Sequence, residues 1–158
     1  MFALRSLRAV RPVLARTYAT EAATVGLRLT FAVPHQTIYK DVSVTQVNIA
    51  AVSGDMGILA SHVPSIEQLR PGVIEVLEAA GSKKFFVSGG FATMNPDSSL
   101  NINAIEAFPV EEFSAEAVRT GLAEAQRLVN SGATEEEKLA AKIEVEVFEA
   151  LQAAINAK

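Results

Sequence analysis

At Pro109 the spacing of the apolar residues changes from every second position to every third or fourth, and no single element satisfies both periods. The chain is therefore read as two differently built parts joined at that proline. On the amino-terminal side the pattern is that of strands. Val25, Leu27, Leu29, Phe31 and Val33 point one way, with Arg28 and Thr30 between them, until Pro34 ends the run. Val42 and Val44 alternate next, but the following apolar set is Val47, Ile49 and Ala51. That shift from even to odd positions at Thr45 and Gln46 predicts a β-bulge or a strand that changes its facing. Further strands are expected at 58–60, 73–79, 84–88, 91–95 and 100–108, with turns at 53–57, 80–82, 88–90 and 95–97. Short strands separated by turn residues every 8 to 12 positions describe a sandwich or barrel.

Beyond Pro109 the pattern is helical. Ser114 is placed to cap a helix whose inner face is Val118, Leu122, Ala125 and Val129, and 130–132 ends it. Thr134 with Glu137 forms a capping box, and Glu135 and Glu136 sit where a helix dipole favours negative charge. The second helix carries Leu139, Ile143, Val147, Leu151 and Ala154 on one stripe, with Phe148 and Ile155 beside it. A loop of about four residues makes the two helices antiparallel neighbours, an αα-hairpin. The second helix is too apolar to be buried by its partner alone, so it must also pack on the sandwich or on another chain.

Residues 1–20 form a third kind of segment. Arg5, Arg8, Arg11 and Arg16 have no acidic neighbour and are interleaved with Phe2, Leu4, Leu7, Val10 and Leu14. Such a basic, amphipathic, acid-poor start is the pattern of a mitochondrial transit peptide, rather than of a nucleic-acid or membrane-binding arm. Without those four, the other 10 of 14 basic residues face 18 acidic ones, a charge of about −8. A chain so acidic is a poor ligand for nucleic acid, whose affinity rests on neutralised phosphates. Hydrophobic residues make up 49% of the sequence, yet after residue 20 no apolar run approaches the ~20 residues of a spanning helix. The domain boundaries expected are 1–22 for the transit peptide, 23–108 for the sandwich and 109–158 for the hairpin.

Catalytic and metal-binding chemistry has little to work with. The absence of cysteine removes disulfides and thiolate sites, and the two histidines, His35 and His62, fall in polar loops without the spacing of a metal pair. Ser88, Gly89 and Gly90 lack the frame of a nucleophile elbow and read as a tight turn or bulge. The paired carboxylates at Glu111 and Glu112 and at 135–137 stand at helix entries, where dipole and solubility account for them. By elimination the chain is a non-catalytic binding or structural subunit that needs no cofactor and no metal.

The stretch 44–76 contains Gly54-Asp55-Met56-Gly57-Ile58, then His62-Val63-Pro64, then Pro71-Gly72 before a strand. Together with 85–94 and 102–107 it resembles the delta subunit of mitochondrial F-type ATP synthase, counterpart of the bacterial and chloroplast epsilon subunit. The resemblance implies an antiparallel β-sandwich of about ten strands followed by a helical hairpin, the layout the periodicities give independently. It also implies a rotor part at the foot of the central stalk, peripheral to the inner membrane on its matrix side, which passes torque from the proton-driven c-ring to the gamma subunit. On that pattern Ser53, Gly54, Asp55, Met56 and Gly57 form a loop against the c-ring, with Asp55 and Met56 at its tip. His62, Val63 and Pro64 form a second loop near gamma and the ring. Val147, Phe148 and Leu151 belong to the contact with the small mitochondrial epsilon subunit, which fills the groove between sandwich and hairpin. Bacterial relatives that bind ATP carry Leu/Ile-Asp-x-x-Arg-Ala on the first helix; here the nearest stretch, 122–128, departs from that motif at Ala123 and Leu128, so no ATP binding is expected. The competing reading is a soluble β-sandwich binding module of the mitochondrial matrix, with the hairpin as a regulatory lid.

Overall fold

A computed structural model describes residues 26–131 and 134–157. The transit segment 1–22, Val25 and the helix stop at Gly132 lie outside the described residues. Ten strands are followed by a short 3₁₀ turn at Val110–Glu112 and two helices. The strands are β1 (Leu27–Val33), β2 (Gln36–Val44), β3 (Gln46–Ala51), β4 (Gly54–Ile58), β5 (Ser65–Leu69), β6 (Gly72–Glu78), β7 (Gly81–Val87), β8 (Gly90–Met94), β9 (Ser99–Ala104) and β10 (Ala107–Pro109). The helices are α1 (Ala115–Ser131) and α2 (Glu135–Asn156).

The pairing order runs β10-β7-β6-β3-β5-β8-β9-β1-β2, with β4 on β3. Its two ends fold over each other: the rings of Phe31 on β1 and Phe85 on β7 meet edge to face at 5.7 Å. Leu27, Leu29, Phe31, Leu100 and Ile102 from one layer fill the interior against Val47, Ile49, Ile74, Val76 and Val87 from the other, and all are essentially inaccessible. The alternation along β1 is complete, every second residue being buried. Burial of this kind, at roughly 25 cal/mol per Å² of apolar surface, is what drives the two layers together. One pair departs from the antiparallel expectation, because β1 and β9 run in the same direction. The first strand enters beside a strand reached only after the chain has crossed between layers.

The expected switch at Thr45 is a change of layer. The chain bends there between β2, which pairs with β1, and β3, which pairs with β4 and β6. The Thr45 N–H donates to the Leu77 carbonyl at 2.9 Å and pins the crossing. An irregular register does occur, but earlier, between Leu29 and Ala32 opposite Asp41, whose φ of 52° is left-handed. Some strand expectations fail: β5 is not among those expected, the strand expected at 58–60 lies earlier, at Gly54–Ile58, and the single strand expected at 100–108 is two, broken at Ile105 and Glu106. The Ser88–Gly90 turn is the crossing between β7 and β8, and a Cβ at Gly90 would collide with the Asn103 carbonyl and Ala104 backbone, as expected of a close-approach glycine.

Ser114 Oγ accepts from the Ala117 N–H at 3.4 Å, and both halves of the Thr134–Glu137 capping box are formed. A second core joins hairpin to sheet: Phe86 from β7 and Val110 pack with Val118, Leu151 and Ala154, flanked by Val73, Val147 and Phe148. Only the carboxyl-terminal half of α2 is covered in this way. Leu139 and Ile143, placed by their spacing on the same inner stripe, are 61% and 57% exposed and take no part in that second core.

Candidate docking surfaces

The first surface is the β3–β4 hairpin. Gly54, at φ 134°, closes the turn at Val52 and Ser53, and Gly54–Ile58 is a strand paired with β3 from Ala51↔Gly54 to Val47↔Ile58. This corrects the reading of Ser53 to Gly57 as a loop with Asp55 and Met56 at its tip. Asp55 faces out from the strand, and Met56 is half-buried against the core. Two glycines in five positions hid the alternation, since Gly54 and Gly57 contribute no side chain to the period. Asp55 is paired, accepting from Arg70 at 2.6 Å. Ser53 Oγ donates to Glu67 at 2.6 Å, and the Val52 N–H donates to the Gln68 carbonyl at 2.8 Å, so the hairpin tip is tied to the middle of β5.

The second surface is the connection 59–64, which leads into β5. Ser61 adopts φ 60° and its N–H donates to Ser98 Oγ at 3.0 Å, joining this loop to the β8–β9 turn, where Ser98 is itself left-handed at φ 62°. His62 Nδ1 lies 2.9 Å from the Val63 carbonyl, so that nitrogen carries the proton and donates. Val63 points into solvent, and Pro64 fixes the entry to β5. Beneath the same turn Arg28 reaches Asp97 at 2.8 Å and Asp41 at 3.3 Å. The Asp97 carboxyl is held below its ordinary range, first by the Ser99 hydroxyl and N–H and then by the Arg28 charge. Alongside, Ile66 on β5 and Phe91 on β8 are 74% and 55% exposed and sit diagonally across the strand pair, with Val63 and Ile105 exposed at either side. That is more apolar surface than a solitary sheet face needs to show water.

The third surface is a cleft of about 480 Å³ between hairpin and sandwich, floored by Leu128, Ile143, Val147 and Phe148. The structure divides the three residues assigned to the small-subunit contact. Val147 and Phe148 line the cleft, whereas Leu151 is buried in the second core within this chain. Leu128 and Ile143 were missed, and so were Glu106, Glu124 and Glu144, which also line the cleft. Leu128 could have been found from its position off the inner stripe of α1. Another groove of about 530 Å³, between the end of α2 and strands β3, β4 and β6, holds both charges: Asp55 pairs with Arg70, and Asn48 donates to Glu75 at 2.9 Å. Among the described residues no group of acidic, histidine or cysteine side chains is arranged to hold a metal, and no helix is long and apolar enough to cross a membrane.

A closed interior with three built outer surfaces describes a subunit that works by contact. Residues 26–110 match the family described as ATP synthase, Delta/Epsilon chain, beta-sandwich domain, and residues 113–153 match the fungal epsilon subunit of F1F0-ATP synthase, C-terminal domain. The chain is 61% identical to the mitochondrial ATP synthase subunit delta of Kluyveromyces lactis, over 89% of this chain and 87% of that one. It is 54% identical to the corresponding subunit of Saccharomyces cerevisiae, over 94% and 93%. It also superposes on a chain in the Euglena gracilis mitochondrial ATP synthase OSCP/F1/c-ring structure, with a TM-score of 0.78, 33% identity, and 83% and 82% of the two chains covered. A central stalk and c-ring structure from Tetrahymena thermophila, at 18% identity and TM-score 0.61, shares the fold. The chain belongs to the delta/epsilon family of ATP synthase, and within it to the mitochondrial delta subunits, which are structural and non-catalytic.

Proposed function

We propose that this chain is a rotor subunit of the central stalk, held on the matrix side of the inner membrane, which joins the c-ring to the gamma subunit so that the two turn together. The observation that carries the reading is the exposed apolar strip of Val63, Ile66, Phe91 and Ile105 on an otherwise closed sandwich. A transmitter of torque needs large outer contacts and a stiff interior, and a close-packed core passes strain on instead of absorbing it. In this reading Val52, Ser53 and Asp55 face the c-ring, while the loop His62, Val63 and Pro64 and the strip beside it face gamma. The small mitochondrial epsilon subunit sits in the cleft, against Val147, Phe148, Leu128 and Ile143. Residues 1–22 act as the transit peptide.

The test is a native pull-down of the tagged full-length chain from mitochondria, with mass spectrometry of its companions and of the bait's amino terminus. Co-recovery of gamma, ring and catalytic-head subunits with a bait trimmed near residue 22 is expected. A bait recovered alone overturns the rotor reading in favour of a matrix binding module, and an untrimmed bait overturns the transit peptide. ATP is not a ligand in this reading, because the motif of the ATP-binding relatives is broken on α1, where Ala123 stands for its leading aliphatic residue and Leu128 for the alanine after Arg127. Calorimetric titration of the isolated chain with ATP at millimolar concentration is expected to give no saturable heat.

A further inference from the structure

The charged residues that line the cleft between hairpin and sandwich are all of one sign. Glu106 reaches it from the β9–β10 turn, Glu124 from α1 and Glu144 from α2, around a floor in which Leu128 is 44% and Ile143 57% exposed. Among the described residues no lysine, arginine or histidine lines it, although Glu124 also lines a neighbouring groove on α1 with Arg119 and Arg127. On the sandwich the other outward carboxylates find partners within the chain: Asp55 with Arg70, Glu78 with Lys83, Asp97 and Asp41 with Arg28. Neither Glu106, Glu124 nor Glu144 has an ion pair or side-chain hydrogen bond among the described residues.

An occupant that covered the apolar floor would strip water from three like charges drawn from three separate segments. Lowering their dielectric surroundings without a counter-charge is unfavourable. The cleft therefore penalises a neutral or acidic occupant and rewards one that brings cations at its edges. A second copy of this chain is itself acidic and would add to the repulsion. We propose that the cleft selects a cationic amphipathic segment, with aliphatic side chains on the Leu128, Ile143, Val147 and Phe148 floor and lysine or arginine against Glu106, Glu124 and Glu144. This rests on the reading of the cleft as a docking surface and adds to it the chemistry by which a partner is chosen.

The test uses the full chain and two labelled helical probe peptides of equal length, one built of leucine and lysine and one of leucine and glutamate, with binding followed by fluorescence anisotropy. The lysine probe is expected to bind, and the Glu106→Gln, Glu124→Gln, Glu144→Gln triple variant to weaken it about tenfold. A control triple, Glu111→Gln, Glu112→Gln and Glu116→Gln, changes the net charge equally and is expected to leave affinity within about twofold. Ile143→Asp, on an exposed floor position, is expected to weaken binding without altering the circular dichroism. Equal weakening by the control triple, or equal binding of the glutamate probe, overturns the proposal. Repeating the mitochondrial pull-down with the cleft triple separates this inference from the one beneath it. Failure of wild type and variant alike to recover ATP synthase subunits removes the docking reading. Recovery of the same subunits by both, equally resistant to about 0.5 M salt, removes the charge selection alone.

Discussion

The Tyr39 hydroxyl on β2 donates to Glu78 on β6 at 2.7 Å, while Lys83 approaches the same carboxylate at 3.2 Å and stands over the Tyr39 ring. Burial, then the bond to Glu78 and its charge, push the Tyr39 ionisation upward. The Glu78 carboxyl is pushed the other way, below its ordinary value of 4.5, chiefly by the tyrosine bond and then by Lys83. A lowered folded value means the carboxylate form is favoured by folding. Its contribution is therefore complete above pH 4.5 and is lost as pH falls through the depressed value. Tyr39→Phe is expected to lower the melting temperature at pH 7, with the gap to the wild type narrowing at pH 3; an equal gap at both would show that the carboxylate is not the acceptor. At this scale the sequence was legible where a motif is local. The Thr134–Glu137 box needs only three residues of spacing and was read directly. The Tyr39–Glu78 contact spans 39 positions and the Asp55–Arg70 pair 15, and no local pattern announces either.

The hairpin shows what an element can and cannot reveal. Its existence, direction and caps follow from a 3.6 period, but its closest approach follows from an absence. Gly121 faces Phe148, and a Cβ there would stand 2.5 Å from the ring. Gly121→Val is expected to destabilise the hairpin by about 1–3 kcal/mol, since the two helices cannot separate without exposing Val147. Urea unfolding of a double-mutant cycle with Phe148→Ala is the check, the second change being expected to return part of the loss. Strand β5 went unread because Ile66 points outward and Glu67 and Gln68 follow it, so its pattern lacks the inward apolar alternation by which strands are found. The exposed Ile66 is legible only once its neighbour Phe91 is seen beside it. Likewise the apolar stripe of α2 predicted burial along its length, yet Leu151 is covered in the second core while Ile143 is bare.

At the scale of the molecule, hairpin and sandwich are joined through one small second core. Leu151 is 4% exposed there, between Phe86 and Val118 and their neighbours. Leu151→Ala is expected to cost about 2–5 kcal/mol. Hydrogen exchange should show the loss concentrated in α1 and α2, with β1, β6 and β9 still protected; uniform loss would mean that the two parts unfold as one. The fold class and the two-part plan were legible because periodicity is a property of every residue in a part. The surfaces were less so, because what is left uncovered depends on where the parts meet.

The pairing order passes without a break from β10 to β2, and β5 is the strand common to both layers, touching β3 through Ala51↔Leu69 and β8 along its whole length. The two layers are thus one bent plate, and a sideways load on either reaches the other through the backbone hydrogen bonds of β5 as well as through the packing between them. Sliding of one layer over the other, the soft mode of a sandwich made from two separate sheets, is blocked at that fold line, and the tip of the β3–β4 hairpin is moored to the same strand.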